Sequence, residues 1–360
     1  MPGMFILPFL FISVTNVTAY ILLERIPVAT IYEVSELAGV SLATVSRVMN
    51  NSDKVTPKTR QKVEAAMQEL GYRPNSIAQS LASNISNSVG ILVPELHGPF
   101  FGSMLSSIEL ELRKAGKHVI ITAGHSDAER EREAIDFLVS RRCDALILFV
   151  FAISDEHIKS LWDSAVPVVV IGRLIPGMED DCVSLDNEMG GYIATKSLIE
   201  SGHRQLACIT GPLWKSDGLE RLAGYKRALA EYGLSFDQRM VAEGDYEELS
   251  GRNGMKQLLQ SEIPFTGLVC ANDEMAAGAI EIAREHGIAI PEDLSVVGFD
   301  NVFFTRYMHP QLSTIDYPVD TMGQMAARCV LRDVYGKTDL DIQCRFEPSL
   351  VRRASILERN

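Results

Sequence analysis

The sequence predicts an α/β molecule: a small all-α unit with helix-turn-helix spacing, followed by two doubly wound α/β subdomains. Three observations carry that reading. Short amphipathic stretches punctuated by glycine fill the region from Thr30 to Gly71; from Ser88 onward, short apolar runs alternate with stretches of helical period; and after Asp186 the same alternation begins again. At 360 residues, 46% hydrophobic and 22% charged, the chain is long enough for two or three globular units. Its formal net charge of −13 argues against coating nucleic acid or an anionic membrane through bulk charge, so any DNA contact must be local.

The first stretch does not belong to this pattern. Met1 to Leu23 carries no charged residue and opens with a nearly continuous apolar run from Met4 to Ile12. A secretory signal lacks support, because neither a basic start nor a small-residue cleavage site is evident. A membrane anchor has the length, but Pro8 and the polar run Ser13 to Thr18 interrupt it. The favoured reading is a non-native extension over 1–27, with Val28, which a GUG codon would deliver as methionine, as the true start. The sequons at Asn16, Asn50 and Asn84 are then chance matches.

Thr30-Ile31-Tyr32-Glu33 fits a capping box, which predicts a helix from Ile31 with Val34, Leu37 and Ala38 as its apolar stripe, ended by Gly39. Ser41 can cap a second helix, Leu42 to Met49, after a turn of helix-turn-helix length. Val34, Ala38, Val40, Val45 and Val48 face inward in this arrangement, leaving Leu42, Ala43, Ser46 and Arg47 outward for a major groove. A third helix follows from the Thr56 cap and Pro57, with Val63, Ala66, Met67 and Leu70 apolar and Gly71 beyond. A three-helix bundle with no nucleic-acid role fits the spacing equally well. Charge barely discriminates, since Val28 to Asn87 holds six basic against five acidic residues.

In the remainder, strands are expected at 89–93, 118–122, 145–150 and 166–171, with helices over 101–115 and 128–142 between them. After Asp186 the series continues with helices at 193–202, 220–233, 249–260 and 275–286 and strands at 206–210, 267–271 and 294–299. Such βαβ patterning implies parallel sheets with helices on both faces, and two such units side by side leave a ligand cleft at the C-terminal ends of their strands.

The run Val28 to Asn51, with Leu70-Gly71-Tyr72-Arg73-Pro74-Asn75 and Ile77-Ala78-Gln79-Ser80-Leu81-Ala82, resembles the DNA-binding headpiece and hinge of the lactose/galactose repressor (LacI/GalR) family, whose chains often begin Met-Ala-Thr-Ile. The likeness continues to Leu350-Val351-Arg352-Arg353-Ala354-Ser355 and covers more than nine-tenths of the chain. It implies a periplasmic-binding-protein-like core, and four segments: 1–27 as the extension, 28–74 as headpiece, 75–87 as hinge helix and linker, and 88–360 as effector-binding and dimerisation core. Within that core one subdomain would hold about 88–186 and 317–345, the other about 187–316 and 346–360. Carried over by position, Leu42 and Ala43 would choose the operator, Arg47 would donate to a guanine edge, and Thr30, Ser41, Thr44, Ser46, Asn50 and Asn75 would help position the unit on DNA. Leu81 would wedge into a minor-groove base step.

For the effector, the resemblance implies Phe100 and Phe101 as rings against a sugar face, Arg221 as a fork of donors, Asn272 and Asp273 in a further effector loop, Asp300 as acceptor and Tyr246 as an aromatic wall. Gly172 departs from the family, many of whose members carry Asp or Asn there, so Arg173 is expected to compensate. Arg142-Cys143-Asp144-Ala145, Arg173 to Gly177 and Arg221 to Tyr225 most resemble galactose repressors and isorepressors, and next β-glucoside-operon repressors.

Enzyme motifs are missing: there is no G-x-S-x-G, Walker loop, H-E-x-x-H, or G-x-G-x-x-G after a strand. The seven histidines are scattered without ligand spacing, and the six cysteines lie at least fifteen residues apart, so neither metal nor cofactor is expected. The expectation is therefore a cytoplasmic, sugar-responsive repressor, homodimeric on a pseudo-palindromic double-stranded operator and without membrane association. No leucine-heptad tail suggests a tetramer. A membrane-tethered regulator or a periplasmic sugar binder is the alternative of another class.

Overall fold

The computed structural model describes residues 29–49, 52–73, 85–164 and 166–359. The expected extension over 1–27, the start at Val28, and Asn50, Asn75 and Leu81 lie outside the described residues. The chain divides between Ala82 and Ser83 into two compact units.

In the first unit, α1 (Ile31–Ala38) opens on the expected capping box: the Glu33 N–H donates to Thr30 Oγ1, and the Thr30 N–H donates to Glu33 Oε2 at 2.6 Å. Gly39 ends it at φ 63°, a conformation that a residue with a Cβ adopts only at a cost. Ser41 Oγ then accepts the Thr44 N–H at 3.3 Å and opens α2 (Leu42–Met49). Thr56 caps α3 (Pro57–Glu69), whose Arg60 donates to Val48 O and Ser52 O and so satisfies carbonyls at and beyond the end of α2. Val34, Ala38, Val45, Val48, Val63 and Ala66 form a small core where the three helices meet.

The second unit contains two six-stranded sheets. The first runs β2 (His118–Ala123), β1 (Ser88–Val93), β3 (Ala145–Leu148), β4 (Val168–Ile171), β5 (Cys182–Leu185) and β11 (Arg345–Phe346), all parallel. The second runs β7 (Val241–Glu243), β6 (Leu206–Thr210), β8 (Gly267–Cys270), β9 (Ser295–Asp300), β10 (Ser313–Asp316) and β12 (Ser349–Val351), parallel except that β12 is antiparallel to β10. Their helices are α4 (Pro99–Lys114), α5 (Ala128–Ser140), α6 (Asp155–Asp163) and α11 (Val319–Asp333) for the first sheet, and α7 (Asn187–Glu200), α8 (Ser216–Glu231), α9 (Glu248–Gln260) and α10 (Asp273–Glu285) for the second.

The chain passes between the sheets after β5, after β10 and after β11. The expected division at 345 falls inside β11, for Phe346 pairs with Leu185 of the first sheet. The apolar run 145–150 leaves the sheet at Leu148 instead of Val150, because the buried Glu131 carboxylate draws the next residues out of register by accepting the N–H groups of Phe151, Ala152 and Ile153. In each sheet the order reverses at one strand, β1 in the first and β6 in the second, which opens a crevice at the C-terminal strand ends.

Candidate nucleic-acid interface and ligand cleft

In the all-α unit, Thr30, Ser41, Leu42, Ala43 and Arg47 are exposed, while Thr44 and Ser46 are half-buried. The α2 face that points away from Val45 and Val48 thus carries two small or apolar residues, a hydroxyl and a guanidinium. Those are groups that can approach base edges closely and donate to them.

The ligand cleft lies between the two sheets and gathers loops from the C-terminal ends of β1, β3, β6, β7, β8, β9 and β10. It encloses about 710 Å³ of empty volume, open to solvent. Phe100, Phe101, Arg221, Tyr246, Asn272 and Asp300 all line it, so six of the eight expected effector residues come together.

Arg221 is the centre of the polar wall. Its Nε donates to Asn187 Oδ1 at 3.0 Å and its Nη1 to Ala271 O at 2.5 Å, while Nη1 lies 3.7 Å from Asp300 Oδ1. The guanidinium also sits 3.7 Å above the Phe299 ring. Glycines make this placement possible: a Cβ at Gly191 would lie 2.1 Å from Arg221 O, and one at Gly224 would lie 2.0 Å from Glu188 O, so α7 and α8 approach backbone to backbone. Asn187, at the start of α7, is thereby within reach of the guanidinium.

Asp300 holds φ 104° at the end of β9, and burial pushes its carboxyl well above the ordinary range against the opposing pull of Arg221. The Tyr246 hydroxyl is buried without a hydrogen-bond partner of acceptable geometry, and burial, with Asp217 beside it, holds the phenol far above its usual range. Asn272 serves the wall: Nδ2 donates to Tyr246 O at 2.7 Å and Oδ1 accepts from Met275 N, so both its polar ends are already used.

Two expectations fail here. Arg173 does not line the cleft; Nη2 donates to Ile153 O at 2.9 Å and Nη1 faces Asp155, because the chain turns at Gly172 (φ 92°) and carries the side chain behind the wall. The space beside Gly172 is taken by Phe149, whose Cζ would lie 2.8 Å from a Cβ there. Asp273 is also not a ligand group. It is fully buried, accepting from Thr314 Oγ1 at 2.6 Å and Val302 N at 3.0 Å, and burial pushes its carboxyl up to about 7.

Sequence reasoning also missed several lining residues: Phe149, Phe151, Lys215, Asp217 and Tyr317. Lys215 is buried with Nζ 4.5 Å over the Phe151 ring, and burial lowers its ammonium against the pull of Asp217. Their signal was positional, since each follows a strand end. At the rim, His97 Nε2 lies 3.2 Å from Glu95 Oε2 and 3.3 Å from Glu247 Oε1. These three could hold a metal ion by distance, but exposed acidic groups commonly converge without one.

No disulfide joins the six cysteines, four of which are buried. Among the described residues no helix is long and apolar enough to cross a membrane.

Comparison with known proteins places this geometry. Residues 30–75 match the model for bacterial regulatory proteins of the lacI family, and residues 195–356 match a periplasmic binding protein-like domain. The chain is 39% identical to the HTH-type transcriptional regulator GalR of Escherichia coli over 328 residues, covering 91% of this chain and 96% of that one. It is 34% identical to the regulator AscG of the same organism, over 91% of this chain and 98% of the relative. Among solved structures, the lac repressor dimer bound to operator and the anti-inducer ONPF aligns with TM-score 0.81 and 31% identity over 92% of this chain and 99% of that one. The transcriptional regulator CelR in complex with cellobiose aligns with TM-score 0.67 and 31% identity over 91% and 99%. The chain is a DNA-binding transcription regulator and belongs to the lacI family of bacterial regulatory proteins.

Proposed function

We propose that the protein represses a carbohydrate-utilisation operon in the cytoplasm and is released from its operator by a small sugar, with a galactose-type effector favoured. The observation that carries this reading is the presence, in one chain, of an outward recognition helix and of a cleft whose polar wall presents the Arg221 guanidinium and the Asp300 carboxyl. Neutral polyols are bound by such mixed donors and acceptors. The 39% identity to the regulator GalR supports the galactose-type reading, whereas the likeness to the regulator CelR in complex with cellobiose supports the second reading, a β-glucoside effector.

On this reading 28–74 is the headpiece, 75–87 the hinge, and 88–360 the effector and dimerisation core. Leu42, Ala43 and Arg47 read bases; Thr30, Ser41, Thr44, Ser46, Asn50 and Asn75 hold the backbone; Leu81 wedges the minor groove. Two headpieces of a homodimer occupy the half-sites of a pseudo-palindromic operator. Sugar favours the closed cleft and weakens DNA binding by population shift.

The test is fluorescence anisotropy of the full chain on a labelled pseudo-palindromic operator at fixed salt, titrated with galactose, glucose and β-glucosides. Release by one of them is expected. Tight specific binding that no sugar relieves would overturn the effector assignment, and no specific binding would overturn the headpiece assignment.

A further inference from the structure

The six cysteines are far apart along the chain, but the fold brings two of them together. Cys329 lies on α11 and is fully buried. Cys344, half-buried between the exposed Gln343 and Arg345, leads into β11 at the edge of the first sheet. Their side chains are in hydrogen-bond contact, the Cys329 thiol donating to the Cys344 sulfur. The segment that carries Cys344 is pinned on both sides. Gln343 N donates to Met325 Sδ on α11 at 3.3 Å and Arg328 Nη1 to Asp341 O at 2.9 Å, while on the strand side Ser184 N donates to Cys344 O at 2.9 Å. In its thiol form Cys344 points its S–H to Asp180 O at 3.8 Å, in the turn Glu179–Asp181.

The thiolate is the form of cysteine that attacks, and the surroundings of the sulfur decide how readily it forms. The Cys329 hydrogen bond, with the guanidinium groups of Arg332 and Arg345, draws the Cys344 thiol below its ordinary range against burial and Asp180. The same hydrogen bond, together with burial, pushes Cys329 up, so the proton stays on the buried sulfur. The other four cysteines move the opposite way: burial pushes Cys143 up to about 11 and Cys208 up to about 12, and it raises Cys182 and Cys270 as well. Cys143 is half-buried like Cys344, so exposure alone does not set Cys344 apart. A reachable sulfur that ionises readily, with a second sulfur in contact behind it, is the arrangement of a redox dithiol.

We propose that Cys344 and Cys329 form a reversible dithiol that reacts with peroxides, Cys344 as the attacking sulfur and Cys329 as the resolving one. The Cys344 thiolate attacks one oxygen of hydrogen peroxide: an S–O bond forms, the O–O bond breaks, and hydroxide leaves. Cys329 then attacks the Cys344 sulfur. The S–S bond forms, the S–O bond breaks, and the hydroxyl leaves with the Cys329 proton as water. Each sulfur gives up one electron, and the peroxide is reduced to water. The new bond ties α11 to the start of β11, just before the third crossing between the sheets, and a thiol reductant reverses it. The test is peptide mapping of the full chain by mass spectrometry without reduction, after brief exposure to hydrogen peroxide and alkylation of the remaining thiols. A peptide pair joined through Cys329 and Cys344, lighter by two hydrogens than the free thiols and separated by dithiothreitol, is expected. Cys143 should lose its thiol more slowly than Cys344 by a factor of about ten or more. Cys329→Ala removes the resolving sulfur and should leave Cys344 as a sulfenic acid that dimedone labels; if that buried substitution fails to fold, the wild-type map decides alone. Both cysteines still alkylating in full under an exposure that oxidises free glutathione, Cys143 oxidising as fast as Cys344, or Cys344 passing to sulfinic acid with Cys329 still free overturns the assignment.

Discussion

At the scale of single residues, the molecule keeps its two kinds of recognition apart, and two substitutions should separate them. Arg221 is buried and spends its Nε and Nη1 on Asn187 and Ala271, so its hold on a ligand is rigid. Truncation removes the guanidinium donors that line the cleft, and losing hydrogen bonds from a charged group to a ligand costs about 1.5–3 kcal/mol. Arg221→Ala should therefore weaken sugar binding by roughly thirtyfold or more while operator binding stays within a few-fold, giving a repressor that sugar no longer releases. Arg47 is exposed on α2 and is not among the residues that line the cleft, so Arg47→Ala should do the reverse: a loss of about 1–3 kcal/mol per half-site on the specific operator, with calorimetric sugar affinity unchanged. Equal loss of both activities in either variant would mean that the roles are misassigned.

At the scale of elements, buried carboxylates fix the loops that the sheets cannot. Glu131 in α5 is 1% exposed and accepts from three successive N–H groups, at 3.2 Å from Phe151, 3.0 Å from Ala152 and 2.8 Å from Ile153. Glu131→Ala strands those donors and should cost about 2–4 kcal/mol, read as a lower midpoint in urea, with sugar affinity falling as the Phe149–Phe151 segment loosens. Asp273, at the start of α10, has a different signature. Its carboxyl is pushed up to about 7 by burial, so the folded chain holds a proton that the unfolded chain releases near 4. The stability contributed by the protonated form is fully present below about 4 and is lost as pH rises through about 7. Asp273→Asn should flatten that part of the Tm-against-pH curve, and an unchanged slope between pH 5 and 8 would assign the titration elsewhere. The sequence revealed these elements unevenly, for physical reasons. Capping boxes, Pro at a helix start and Gly at a helix end are local chemistry, so α1 to α3 were legible nearly to the residue, and apolar runs marked β1 to β4. Short strands such as β7, β11 and β12 take their identity from a neighbour's hydrogen bonds and leave no period to read. Arg173 was misplaced for the same reason: its side-chain direction depends on a left-handed turn at Gly172 and on a ring from another strand.

At the scale of the whole molecule, every cleft residue sits at a strand end or in the loop or helix that follows one, and the walls belong to halves joined by three crossings of the chain. A ligand that touches Arg221 and Phe101 together must bind one relative placement of the halves better than any other, and only that difference can shift a population. If the same placement sets operator affinity, the coupling has to be reciprocal. A sugar that lowers operator affinity by a given factor must see its own affinity lowered by the same factor when operator is bound, and factors of about 5–150 are usual. The check is two titrations on one preparation at one salt concentration: operator anisotropy with and without saturating sugar, and sugar calorimetry with and without saturating operator. The two factors should agree within error after allowing for two sugar sites per operator-bound dimer. A large effect of sugar on operator, with no effect of operator on sugar, is thermodynamically inadmissible for a single equilibrium. It would mean that one of the two titrations had not reached equilibrium, whereas two factors that are both near one would remove the cleft as the switching element.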